Sequence, residues 1–510
     1  MKRSFFIFAF INICLFSFII KADVKLPSII SDNMVLQQSA TVNIWGKADA
    51  GEVVGVIPSW TGKTHTVTTD VEGKWLVKLK TPKATTNQNI VIKANNTIEI
   101  KNVLIGEVWL CSGQSNMDYP VAKAHGWRNG ITDEAKEMQD ADFPEIRLFH
   151  IAQKLSPEQE LDDCEGRWEV CNVENLKTFS AIAFIFGREL YKNLRIPVGL
   201  IQSTWGGTPA EAWTKMSVMK SDPYYSDLIS KFYLAKENYP AELEEYNEAK
   251  AQYDIDKAEA EKAGQKPPQV PKKPQGINHN KALSTLWNAM IHPIVRYSIK
   301  GVIWYQGETT LGEGPKKYQH VFTNLINSWR EEWNQGDFPF YFVQIAPHYK
   351  QSPHIREAQL KTWQSVKNTG MAVITDGGDS TDIHPRRKQI PAMRLAYWAL
   401  AKTYGKDIPY SGPLYNSMKV KDGKAVLSFK YTEQGLKTKS GEPLKGFVIA
   451  GKDRKFYPAV AHIVGDKVEV SSPQVPRPIA VRYGWDKFFR VNLYNNAGLP
   501  ASPFRTDNWE

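Results

Sequence analysis

Four short blocks in the 510-residue chain carry side chains suited to nucleophilic acyl transfer. The first is Ser112-Gly-Gln-Ser115-Asn116-Met117, directly after the apolar run Glu107-Val-Trp-Leu-Cys111. A hydroxyl in a tight turn after a buried strand stands at the rim of a sheet, and a helix after it would aim backbone N–H groups at an oxyanion. The block lacks the Gly-x-Ser-x-Gly spacing, and a serine after a strand also serves as an ordinary helix N-cap. The second block, Ser203-Thr-Trp-Gly206-Gly207-Thr-Pro209, lets the backbone approach a ligand closely, which makes the Gly207 amide a candidate oxyanion donor. The third, Trp304-Tyr-Gln306-Gly-Glu308-Thr309, offers the Gln306 amide as a further donor, and Glu308 as a contact for a substrate hydroxyl or as half of a structural ion pair. The fourth, Thr375-Asp376-Gly-Gly-Asp379-Ser-Thr-Asp382-Ile-His384-Pro385, supplies a base, His384, and carboxylates to hold its tautomer. Asp382 is the expected orienting group, with Asp379 and Asp376 as alternatives. Nine other histidines compete with His384, which gains weight from the blocks around it.

Each block follows an apolar run that reads as a buried strand: Glu107–Cys111, Pro197–Ile201, Gly301–Tyr305 and Met371–Thr375, with a further strand at Phe340–Ile345. Strands alternating with longer helical stretches predict an α/β layer fold with a mostly parallel sheet. In such sheets ligands sit beyond the carboxyl ends of the strands, where all four blocks lie. Residues 104–406 form this predicted catalytic region. Residues 23–103 read as an N-terminal β-sandwich of short strands broken by Gly46, Gly51, Gly62 and Gly73, and β-type runs return over 407–510. Between 222 and 276 lies an Ala/Glu/Lys/Tyr-rich helical stretch followed by Gln265-Lys-Pro-Pro-Gln-Val-Pro-Lys-Lys-Pro274, a charged surface insertion with a stiff connection.

Residues 1–22, with Lys2 and Arg3 before an apolar run from Phe5 to Ile20, have the layout of a secretory signal peptide, so an exported protein without stable membrane insertion is expected. Cys111, Cys164 and Cys171 are then too few for a disulfide scaffold, although Cys164 and Cys171 are spaced to close a short loop. No Cys/His cluster has zinc-ligand spacing, so no metal is implied. The formal charge of +10 is spread along the chain without a dense basic block, which permits an anionic substrate and argues against nucleic acid.

Taken in order, these blocks resemble the sialate O-acetylesterase family of the SGNH hydrolase superfamily. The similarity includes Leu26-Pro-Ser-Ile-Ile-Ser-Asp-Asn-Met-Val-Leu-Gln37, Gly106 to Met117, Trp287-Asn-Ala-Met-Ile-His-Pro293, Trp304 to Glu308, Asp382-Ile-His384 and Gly498 to Thr506. The resemblance implies a flavodoxin-like three-layer α/β domain with flanking β-sandwich regions, no metal or organic cofactor, and a Ser115–His384–Asp382 triad. It implies oxyanion donors at the Ser115 amide, Gly207 and Gln306. The implied substrate is an O-acetylated sugar, foremost 9-O-acetyl sialic acid, with Asn116, Glu308 and Arg386 as substrate contacts. Arg386, Arg387 and Arg394 near the His384 loop are candidates to pair with a sugar carboxylate, or equally to begin a solvated helix. Acetylxylan or another plant glycan is the alternative substrate, and a noncatalytic carbohydrate-binding protein the alternative of another class. Two features depart from the wider superfamily: Gln306 stands where many members use Asn, and Asp382 precedes His384 by two residues rather than three.

Overall fold

The computed structural model describes residues 23–123, 129–439 and 441–509. The expected signal peptide lies outside them. Seven strands form the sheet that positions the site: β1 (Thr97–Gly113), β2 (Phe143–His150), β3 (Trp168–Cys171), β4 (Val198–Thr204), β5 (Gly301–Tyr305), β6 (Phe340–Val343) and β7 (Thr369–Ala372). Their spatial order is β7-β6-β5-β1-β4-β2-β3, all parallel except for the antiparallel edge pair β2–β3. Strands β4, β5, β6 and β7 are buried along their whole length, and so is the second half of β1, as expected where both faces of a parallel sheet are covered.

From β1 the chain runs outward to β2 and β3, returns to β4 at one flank of β1, then crosses to β5 at the other. That reversal opens a crevice beyond the carboxyl end of β1. The register places Gly113 opposite both Thr204 of β4 and Tyr305 of β5, so three strands end level with one another. Helices α1 (Ala181–Leu194), α2 (Ser226–Lys262), α3 (Tyr318–Trp333), α4 (Pro353–Ser365) and α5 (Gln389–Trp398) are the principal helical elements. Helix α1 packs on α5, and α3 on α4.

Strand β1 is longer than the sequence suggested. Its first half pairs with strands Val35–Gln37 and Thr85–Lys93 of the N-terminal β region, and its second half enters the main sheet. It therefore runs straight through position 103, and one continuous apolar core extends from Val24 to Leu414. The C-terminal strands form two four-stranded sheets that share a separate core, with Leu427 and Val470 from one meeting Ile449, Val481 and Phe504 from the other. Helix α2 buries only Phe232 along its length, in keeping with a charged excursion. No described helix is long and apolar enough to cross a membrane. The short loop disulfide does not form: Cys111, Cys164 and Cys171 are all free and buried, and burial pushes the Cys164 and Cys171 thiols up to about 12.

Candidate active site

Because β1, β4 and β5 end in register, the turns 114–117, 205–208 and 306–309 meet at one place. Gly113 allows this approach. Its φ is +138°, and a Cβ there would sit 2.2 Å from the Tyr305 carbonyl oxygen. The Gln114 amide donates to that carbonyl at 3.0 Å, and the Met117 and Asp118 amides close back on the Gln114 carbonyl. The Ser115 turn is thus a single hydrogen-bonded turn. The helix expected immediately after it does not form in the described residues up to Lys123.

His384 arrives from the loop after β7, 269 residues further along the chain, and its Nε2 lies 2.9 Å from Ser115 Oγ. Asp379 shapes that loop by accepting from the Thr381 and Asp382 amides, and these bonds hold its carboxyl below the usual range. Asp382 Oδ1 accepts from the His384 backbone amide at 2.8 Å and lies 3.7 Å from Nδ1. Asp376 is engaged elsewhere, in a two-bond fork with Arg394 that outweighs the effect of burial and keeps its carboxyl low. Of the three aspartates considered, Asp382 is the one beside the imidazole.

Ser115, His384, Gly206, Gly207, Glu308 and Trp205 line a cleft of about 480 Å³, together with Gln114, Gln153, Thr309 and Ile383. Gly206 presses against Ser115, since a Cβ there would lie 3.3 Å from Ser115 Cβ. Gly207, at φ +72°, faces open space. Among the described residues the Ser115 and Gly207 amides have no hydrogen-bond acceptor. Both are available to a ligand oxygen.

Three expected contacts are placed differently. Gln306 is fully buried, its Nε2 donates to the Thr208 and Thr309 carbonyls at 3.1 and 2.6 Å, and its Oε1 accepts from Tyr318. Carbonyls on one side and a hydroxyl on the other fix the amide's orientation and consume both hydrogens. Gln306 therefore braces the second turn against the third instead of facing an oxyanion. Arg386 reaches away to the Gly130 and Ile131 carbonyls and tethers the His384 loop. Asn116 is buried, and its Nδ2 donates to Glu308 Oε1 at 2.6 Å and to the Ile383 carbonyl at 3.1 Å. It joins the Ser115 turn to the β5 turn and to the histidine loop.

Lys388, absent from the sequence reading, completes this knot by donating to Asn116 Oδ1. Burial lowers its ammonium to about 7, against the attraction of Glu308 and Asp382. Burial also raises the Glu308 carboxyl, although Asn116 and Lys388 favour its charge. Gln153, Trp205 and Thr309 were likewise not singled out as cleft residues. A lysine after Arg-Arg reads as one more solvated charge, and only the fold buries it. No described group of His, Cys, Asp and Glu side chains is arranged to hold a metal ion.

Comparison with known proteins shows the family to which the chain belongs. The family model for sialic acid-specific acetylesterases, a carbohydrate esterase family, matches residues 105–245 and 274–388. Sialate O-acetylesterase of Homo sapiens is 30% identical over 94% of this chain and 92% of its own length, and that of Mus musculus is 28% identical over 94% of each. The crystal structure of a carbohydrate acetylesterase from Xanthomonas citri superposes with a TM-score of 0.80 at 32% identity, covering 96% of this chain and all of that one. The 104–406 region holds both matched segments, and they end just after the histidine loop, so the chain is a carboxylic ester hydrolase belonging to the sialic acid-specific acetylesterase family of carbohydrate esterases.

Proposed function

We propose that this enzyme removes O-acetyl groups from sugars through an acetyl-serine intermediate, with Ser115 as nucleophile, His384 as general base and acid, and Asp382 as the orienting carboxylate. The observation that carries the reading is the 2.9 Å approach of His384 Nε2 to Ser115 Oγ inside an open cleft. His384 takes the Ser115 proton as Oγ bonds to the acetyl carbon, and the carbonyl oxygen becomes an oxyanion. The Ser115 and Gly207 amides, neither of which has an acceptor among the described residues, stabilise it. Collapse breaks the bond between the acetyl carbon and the sugar oxygen, which leaves with the proton from His384. A water molecule then gives its proton to His384, attacks the acetyl-serine and releases acetate, returning the proton to Ser115.

The catalytic region fits a flavodoxin-like three-layer SGNH architecture, with residues 23–103 and 407–510 as flanking β regions and 222–276 as an insertion. The preferred substrate is an O-acetylated sialic acid, foremost the 9-O-acetyl form; the family and the curated relatives support sialic acid as the sugar. Of the arginines considered for the sugar carboxylate, Arg386 and Arg394 are occupied by protein partners, which leaves the exposed Arg387 as the candidate. Export after removal of residues 1–22 would suit a glycan-processing enzyme.

Acetate release from O-acetylated sialic acids and from acetylxylan, measured side by side, tests the reading. Ser115→Ala should lose activity by at least about 10³-fold while melting at the wild-type temperature. Wild-type turnover in that variant would refute the mechanism, and a clear preference for acetylxylan would refute the substrate assignment.

A further inference from the structure

We propose that Lys388 is a positioning residue that acts through Asn116 to hold the nucleophile turn in register with the histidine loop. The inference rests on Ser115 and His384 carrying the reaction.

Lys388 is 1% exposed, with its ammonium 4.6 Å from the centre of the Tyr119 ring and its Nζ hydrogen-bonded to Asn116 Oδ1. Three elements surround it: the nucleophile turn with Asn116 and Tyr119, the β5 turn with Glu308, and the histidine loop with Asp382. Burying an ammonium carries a desolvation cost that its neighbours must repay, so such a group is a weak source of net stability. Its presence is better explained by what it does to Asn116.

Asn116 adjoins Ser115, and its amide meets three partners. Two of them, Glu308 Oε1 and the Ile383 carbonyl, accept hydrogens from Nδ2. The third, Lys388 Nζ, donates to Oδ1, and as an ammonium it has no lone pair with which to accept. In the observed orientation all three contacts are favourable. Turned by 180°, the amide would set its oxygen against a carboxylate and a carbonyl and its hydrogens against an ammonium. Lys388 thus excludes the flipped state, and with it the loss of the Asn116 bond to Ile383, the residue next to His384. Once that bond goes, the loop carrying the base loses a direct tie to the turn carrying the nucleophile. Reaction between a hydroxyl and an imidazole is steeply sensitive to such displacements.

The test measures acetate release and thermal melting for the wild-type chain and for Lys388→Met, Asn116→Ala, their double variant and Ser115→Ala. Lys388→Met should lower kcat by about 10- to 100-fold and shift KM by less than about 3-fold, with a lower melting temperature because Asn116 Oδ1 and Glu308 lose their buried cation. If Lys388 acts through Asn116, the double variant should be no slower than Asn116→Ala. Asn116→Asp, nearly isosteric, takes the place of Asn116→Ala should that protein not fold. Wild-type kcat in Lys388→Met overturns the proposal, as do multiplying losses in the double variant or a rise in KM that matches the fall in kcat/KM. Activity in Ser115→Ala would instead overturn the catalytic reading on which it rests, so the two failures are separable.

Discussion

The carboxylate beside His384 differs from a deeply buried triad member in ways that set its expected contribution. The Asp382 side chain is 51% exposed and 3.7 Å from Nδ1, and its shorter bond goes to the His384 backbone. Asparagine would keep the backbone bond, and water already screens the charge. Asp382→Asn should therefore reduce kcat by only about 10-fold, far less than the ~10⁴-fold seen when a buried orienting carboxylate is made an amide, and Asp382→Ala should cost more because the loop bond is also lost. Steady-state kinetics on the two variants give the comparison. A 10⁴-fold loss in the asparagine variant would mean that the carboxylate charge dominates.

Turns dominate at the scale of elements. Gln306 links the Thr208 and Thr309 carbonyls to the Tyr318 hydroxyl, and removing it strands these groups in the interior. Gln306→Leu should destabilise the protein by about 1–3 kcal/mol, read from chemical denaturation, and lower activity through the two turns it holds. Glu211, in the short helix after Pro209, offers a pH-dependent counterpart. Burial raises its carboxyl from 4.5 to about 7, although amides including that of Leu311 favour its charge. The folded state then holds the proton more tightly than the unfolded chain. The group's stabilising contribution is complete below about pH 4.5 and is lost as pH rises through about 7. Glu211→Gln should flatten that part of the stability profile, which melting curves from pH 4 to 8 would detect (about one pH unit per step suffices). An unchanged slope would show that other groups set it.

On the scale of the whole molecule, the chain joins one large core to a smaller C-terminal one. Arg505, near the chain's end, forks onto Glu357 of α4 at 2.8 and 3.0 Å, and Tyr494 contacts Asp376 at the base of the histidine loop. The insertion contrasts with this anchoring. Helix α2 buries one residue, and the segment 263–276 beyond it has no helix or strand and is largely exposed. Limited proteolysis should cut first within 263–276 and leave esterase activity intact, because few contacts depend on that backbone. Loss of activity on this first cut would give the insertion a part in the site.

Residue types and order alone marked the turns that the fold brings together around Ser115 and His384. An apolar run that ends in Ser-Gly-Gln-Ser has few alternatives to a buried strand leading into a tight turn, and the same local logic marked Gly207 and His384. The strands at 301–305 and 340–343 were legible for the same reason, since a period and a terminating turn are local properties. What a side chain bonds to is a long-range property. Gln306 has the donors of an oxyanion group and Arg386 the fork of a carboxylate clamp, and nothing local distinguishes those roles from bracing neighbouring backbone. Lys388 was invisible because its burial requires Asn116, Glu308 and Tyr119 to close around it, three residues brought together by the register of β1 and β5 and the return of the chain after β7. Short-range sterics and hydrophobic pattern thus selected the turns, whereas tertiary packing decided which polar groups were left free to act and which were spent in holding them.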